Sequence, residues 1–293
     1  MTTIALLLVT GLGLGALYFL IAAGLSLIWG LMRVLNFAHG AFFTVAAYAG
    51  WSASNAVGGA PPEVRWLVAV LIAVVAGAVF ATLTEVLLIR PLYARHVGQV
   101  LVTVGLALAT ISLVQGGFGS DPQTFALPAW MTATTNVIGA NIPNTRLLVI
   151  AVAALVFALL LFFLRRTRFG LIVRAGVENR AMVQALGIDV QRAFTLVFAI
   201  GGAAAGLAGM LAATYYGTID PGRGTSMLIF AFIVVIIGGL GSVTGSAVAA
   251  IVVGVVQQFL NFYGAAGVGD FSVVLLLAIV LLVRPGGFSG STT

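Results

Sequence analysis

Nine apolar stretches follow one another along this chain with almost no charge inside them, at roughly 4–31, 40–57, 66–89, 98–118, 147–164, 193–216, 225–240, 244–263 and 270–283. A helix needs about 20 mainly apolar residues to cross a bilayer. Backbone in lipid must satisfy its own hydrogen bonds, so runs of this kind are read as helices. Only 7% of the 293 positions are charged and 61% are hydrophobic, with a mean hydropathy of +1.20. A soluble protein of this size could not cover itself with hydrated surface on those terms. The sequence therefore predicts an all-α, polytopic membrane protein of eight or nine spanning helices, one transmembrane domain over 1–293 with little room for a soluble one. The opening MTTIALLLVT has no basic leader region or A-x-A cleavage pattern, and is expected to be kept as the first helix. The seventh and eighth stretches are separated only by the glycine-rich run Gly238 to Gly245. That region reads either as two spans or as a broken or re-entrant helix.

The charges exclude several activities. All 13 cations are arginines, so there is no lysine for a Walker A phosphate loop or a Schiff base. Any nucleotide hydrolysis is expected on partner chains, and the chain itself is not expected to be an enzyme. Cysteine is absent, and His39 and His96 are far apart with no carboxylate at ligand spacing, so neither a metal nor another cofactor is expected. The net charge of +6 does not point to nucleic acid, because the arginines lie between apolar spans without interleaved aromatics. It points to topology. With nine spans, the links at 32–39, 90–97 and 165–192 and the C-terminal tail share one side and carry ten of the thirteen arginines. The positive-inside rule makes that side cytoplasmic, with the N-terminus outside and the C-terminus inside. The external loop 119–146, with Pro122, Pro128 and Pro143, is expected to be ordered.

The link 165–192 is the most informative stretch. From Arg174 to Ile188, Val177, Ala181, Ala185 and Ile188 fall on one helical face with Met182 and Leu186 beside them, and Gly187 stands where a helix would stop. Such a short amphipathic helix either docks a soluble subunit or lies on lipid headgroups. Arg33, Asn36 and His39 at spacing three suggest a gate, or a polar turn holding two helices together. Glu85 lies inside a span, five residues before Arg90, and is expected to pair with it or to reach the interface. Ser26, Thr103, Ser112, Gln115, Tyr215, Gln257 and Asn261 are the candidates for a translocation path, each alternatively an interhelical hydrogen bond. Close helix contacts are expected at the pairs Gly11/Gly15, Gly202/Gly206 and Gly241/Gly245.

Four segments carry a family resemblance: GLSLIWGLMRVLNFAHGAF beginning at Gly24, IRPLYAR from Ile89, RTRFGLIVRAGVENRAMVQALGIDVQR from Arg166, and IGGLGSVTGSAVAAIVVG from Ile237. In this order they resemble the branched-chain amino acid (LIV-type) permeases of bacterial ABC importers. The resemblance implies a permease subunit in the bacterial inner membrane, translocating branched-chain or related neutral amino acids. It also implies two ATPase subunits, a second related permease subunit and an external solute-binding protein as partners. It further implies that Arg174, Val177, Glu178, Ala181, Met182, Ala185, Leu186 and Gly187 belong to the segment that couples to the ATPase. Urea and short-amide permeases share the same general pattern, and a stand-alone secondary transporter or channel is the other alternative.

Overall fold

The structure, a computed structural model, describes residues 2–289 except Ala94, Ile138, Ile188 and Ala266, and describes only the backbone of Gly176, Val177, Glu178, Arg180, Ala181 and Gln184. In chain order the elements are α1 (Thr2–Met32), α2 (His39–Ala56), α3 (Pro62–Thr84), α4 (His96–Phe118), β1 (Gln123–Thr124), α5 (Ala129–Thr132), β2 (Thr134–Val137), β3 (Ala140–Pro143) and α6 (Asn144–Arg166). Then follow α7 (Arg168–Glu178), α8 (Arg180–Ala185), α9 (Val190–Tyr216), β4 (Thr218–Ile219), α10 (Arg223–Gly238), α11 (Val243–Tyr263) and α12 (Val268–Val283). Among the described residues six helices are long and apolar enough to cross a membrane, and α10 and α12 are shorter apolar helices. The chain is an all-α polytopic membrane protein, and its long helices fall on the nine apolar stretches.

Lipid tails are as apolar as leucine, so helices in a bilayer are drawn together by close packing and polar contacts rather than by exclusion from water. Two crossings show how close that packing is. A methyl group built on Gly15 would stand 2.5 Å from the Ala250 carbonyl oxygen, and one on Gly254 would stand 2.4 Å from the Gly15 nitrogen, so α1 and α11 meet backbone to backbone. In the α3–α9 pair, a methyl on Gly77 or on Gly202 would come within 2.3 Å of the other's carbonyl oxygen. Gly11/Gly15 and Gly202/Gly206 are thus contact pairs. Gly241/Gly245 is not a pair on one helix. Gly241 lies in the α10–α11 turn against Gly30, while Gly245 opens α11 against Gly238. Positive φ values of 96° at Gly239 and 86° at Gly241 reverse the chain there, and Ser242 caps α11 by accepting from the Gly245 nitrogen at 3.0 Å. The region between 225 and 263 is accordingly two helices in a hairpin.

The inward-running backbone lies elsewhere. Residues 33–38 are non-helical, and His39 at the start of α2 packs on Gly24, eight residues before the end of α1 and so about 12 Å below it. The first turn of α10 meets the first turn of α2 through Gly224 and Gly40. The loop after α4 is ordered by short pairings: β1 runs antiparallel to β4, and β2 and β3 form a hairpin.

Glu85 is fully buried where α3 continues through a π-helical turn. Its carboxylate accepts from Arg90 Nη2 at 3.0 Å, from Thr195 Oγ1 of α9 at 2.9 Å and from the Tyr93 hydroxyl. One carboxylate therefore ties the end of α3 to α9. Glu85→Ala should lower the stability of the purified chain in detergent by about 2 kcal/mol, less than the roughly 3–5 kcal/mol for a fully buried pair, because the Arg90 side chain is 34% exposed. The thermal unfolding midpoint reads this out, with the exposed Glu63→Ala as control; equal midpoints for the two would refute the tie.

Candidate functional site

At the end of the bundle where α9 stops, two tyrosines point different ways. Tyr215 is buried, and its hydroxyl donates to the Thr10 carbonyl at 3.3 Å. Arg146, in the first turn of α6, lays its guanidinium 3.2 Å from the Tyr215 ring centroid and donates from Nη1 to the Tyr215 carbonyl at 2.7 Å. Tyr216 is exposed, with the Arg223 guanidinium from the start of α10 at 4.3 Å from its ring centroid. Gly217 in the left-handed conformation then ends α9.

A polar chain completes the arrangement. Tyr18 of α1 stacks on Phe230 of α10 at 5.0 Å between centroids and donates to Gln257 Oε1 at 2.7 Å. Gln257 Nε2 in turn donates to Asp270 Oδ1 at 2.6 Å. Tyr216 lies within electrostatic reach of Arg223, Arg146 and Asp270, and Tyr18 within reach of Tyr215, Tyr216 and Asp270. Arg146 Nε and Arg223 Nη1 are buried with no hydrogen-bond partner among the described residues, so each guanidinium keeps a donor free there. Two cations, one carboxylate and three tyrosine rings in one place can receive a molecule carrying both a negative and a positive group.

Of the expected path residues, Tyr215 and Gln257 belong to this cluster. Ser26 is buried and lines a separate cavity of about 390 Å³ at the opposite end of α1. Thr103 is buried but bonds to its own helix through the Gln99 and Val100 carbonyls. Ser112 and Gln115 are exposed on α4, and Asn261 is exposed on α11, where a methyl on Gly269 would touch its amide. The seven do not converge on one path. Tyr18, Tyr216, Arg146, Arg223 and Asp270 are members that sequence reasoning missed. The doublet Tyr215–Tyr216 ending a span, with rare charges at the adjoining span ends, was the signal available.

The candidate gate also separates. Spacing three places residues on one face only in a helix, and residues 33–38 are not helical. Arg33 is exposed with a φ of 53°, whereas Asn36 and His39 are fully buried. Asn36 Oδ1 accepts from the Ala38 nitrogen at 3.1 Å and turns the chain into α2, while its Nδ2 has no hydrogen-bond partner among the described residues.

In the 165–192 link the single helix expected from Arg174 to Ile188 is two, α7 and α8, interrupted at Asn179. The Asn179 side chain accepts from the Met182 nitrogen at 3.0 Å, a cap that starts a new helix instead of continuing the old one. Val173 and Val183 are buried, while Met182, Ala185 and Leu186 are exposed, as is Arg174. Gly187 follows with a φ of 76°. The side chains of Val177, Glu178 and Ala181, and Ile188 altogether, lie outside the described residues.

Long helices with apolar side chains on their exposed faces make this a multi-pass membrane protein. Residues 7–284 match the family described as branched-chain amino acid transport system, permease component, and the chain belongs to that family. It is 28% identical over 289 residues to the high-affinity branched-chain amino acid transport system permease protein LivH of Salmonella typhimurium, a match covering 96% of this chain and 93% of the relative. Identity is 30% over 296 residues to the permease protein BraD of the corresponding system in Pseudomonas aeruginosa, covering 97% and 94%. A more distant relative, the ribose import permease protein RbsC of Haemophilus influenzae, is 27% identical over 173 residues, covering 57% and 50%. No solved structure matches the chain.

Gln257 holds both Tyr18 and Asp270. Gln257→Leu should therefore destabilise the chain by about 1–3 kcal/mol through two unmatched polar partners, whereas Gln115→Leu, on an exposed position, should leave the detergent unfolding midpoint unchanged.

Proposed function

We propose that this chain is the transmembrane permease subunit of a bacterial ABC importer and that it passes branched-chain or related neutral amino acids. Family membership supports the class. The observation that carries the solute is that Arg146, Arg223 and Asp270 all lie within electrostatic reach of Tyr216. An α-amino acid presents a carboxylate and an ammonium group, and this cluster offers free guanidinium donors for one and a carboxylate with aromatic faces for the other. Urea and short amides carry no such charges and would leave the cluster without complementary partners.

In this reading the N-terminus lies outside and the C-terminus in the cytoplasm, following the arginine bias. The tyrosine–arginine cluster then opens outward, toward an external binding protein, and the 165–192 link faces inward. The chain has no lysine for a nucleotide-binding loop, so the work comes from two ATPase subunits. They would press on α7 and α8, where Met182 and Leu186 stand 61% and 68% exposed. A second related permease subunit completes the membrane part.

Proteoliposomes holding the assembled importer and its binding protein test this. Arg223→Gln and Asp270→Asn should each lower the initial rate of ATP-driven leucine uptake about tenfold or more, the loss of one charged hydrogen bond, with binding-protein affinity unchanged. Urea uptake that both variants leave intact, with no leucine uptake in the native importer, would overturn the solute assignment. Met182→Glu with Leu186→Glu should release the ATPase subunits on purification while the chain still inserts. Specific uptake by the chain alone in vesicles without ATP would overturn the importer reading.

A further inference from the structure

Two cavities lie along one face of α1, the upper walled by α6 and α11 and the lower by Leu164 of α6, the α7 residues Val173 and Arg174, and Gly241 of the α10–α11 turn; their linings follow helical stripes. Along α1 the lining residues are Leu12, Gly15, Ala16 and Phe19 in the upper cavity and Ser26, Leu27 and Gly30 in the lower. Steps of three, four and seven keep all of these on one face. On α6 the stripe runs from Ile150, Ala153, Ala154 and Phe157 to Leu164. The two cavities, about 350 and 390 Å³, follow one another along the same faces of α1 and α6 and outline a crevice divided where Leu160 is buried. The upper part is lined almost wholly by apolar side chains, with the Phe19 and Phe157 rings meeting edge-on at 5.6 Å.

The lower part differs in chemistry. It is lined by Arg174 of α7 and by Ser26, whose hydroxyl is fully buried and has no hydrogen-bond partner among the described residues. Arg165, Arg166 and Arg168 lie close in sequence on the same elbow, and none of these four arginines has an ion pair among the described residues. Glu178 is the one acid between Leu164 and Ile188. A cationic mouth with a free hydroxyl below an apolar slot is complementary to an amphiphile with an anionic head. The seven residues from Ser26 to Phe19 rise about 10 Å, which fits inside one leaflet's hydrocarbon half-thickness of about 15 Å.

We propose that this crevice holds one anionic phospholipid, its phosphate at Arg174 and Ser26 and an acyl chain lying along α1 and α6 to the Phe19–Phe157 pair. The site is distinct from the tyrosine–arginine cluster and does not depend on which solute is carried. The lipid fills a seam that runs directly into α7, so its occupancy sets how closely α6 and α7 can approach α1.

Native mass spectrometry of the purified full chain tests the proposal, using phosphatidylglycerol against phosphatidylcholine with the same acyl chains. One phosphatidylglycerol should be retained per chain in preference to phosphatidylcholine. Arg174→Gln should weaken that retention about fivefold, the worth of one basic residue at a membrane surface, while Arg95→Gln, on the α3–α4 turn, should not. Ala154 is exposed on the crevice wall, so Ala154→Trp should fill the slot and displace the lipid without disturbing the core. Equal retention of the two lipids, equal effects of the two arginine changes, or indifference to Ala154→Trp would each overturn the site. Displacement by millimolar inorganic phosphate would reassign it to a free anion. A photo-crosslinker at position 154 that captures the second permease subunit in the assembled importer, rather than lipid, would replace the lipid by a protein interface.

Discussion

The closeness with which helix backbones meet governs this structure. In lipid no expulsion of water drives one helix onto another, so the gain comes from contact itself, and contact is greatest where side chains are absent. At Gly15 against Ala250, and at Gly77 against Gly202, no side chain separates the backbones. Both α1 and α9 are sheathed by such crossings, and they carry the longest runs of buried residues in the chain. A single added methyl at these glycines would collide with a carbonyl, so the spacing of the bundle tolerates little change.

That tight centre positions the polar groups at the margins. α9 runs straight from the Glu85 tie at one end to Tyr215 and Tyr216 at the other, with α1 beside it delivering Tyr18 and Thr10 to the same place. The arginines and Asp270 approach from the first turns of α6, α10 and α12, where chain entering the bundle can still carry charge. Six separate helices thus supply the cluster, while each supplies only one or two residues.

This explains what could be read from the residues and what could not. The helices were legible because apolar length is a local property, and all nine stretches appear as helices. Two of the three glycine pairs mark crossings for the same reason. Arg33, Asn36 and His39 do not share a face, because spacing implies one only after helical geometry is granted, and Asn36 turns the backbone there. The link helix was read as one because hydrophobic periodicity continues across Asn179, while the cap that interrupts it is a single side-chain bond. The tyrosine–arginine cluster joins residues more than a hundred positions apart, and no periodicity records that. Tyr215 and Gln257 were noticed as polar residues in spans, but their partners were counted only as loop charges.

The elbow between α6 and α7 has a mechanical consequence. A methyl on Gly170 would stand 2.1 Å from the Phe163 carbonyl oxygen, and Thr167 bridges the bend by donating to that carbonyl and accepting from the Gly170 nitrogen. The joint has no slack: the two helices are braced like the arms of a set square. Changing the angle between α6 and α7 would therefore have to break one of the two Thr167 bonds, so the elbow favours moving the two helices as one piece over bending between them.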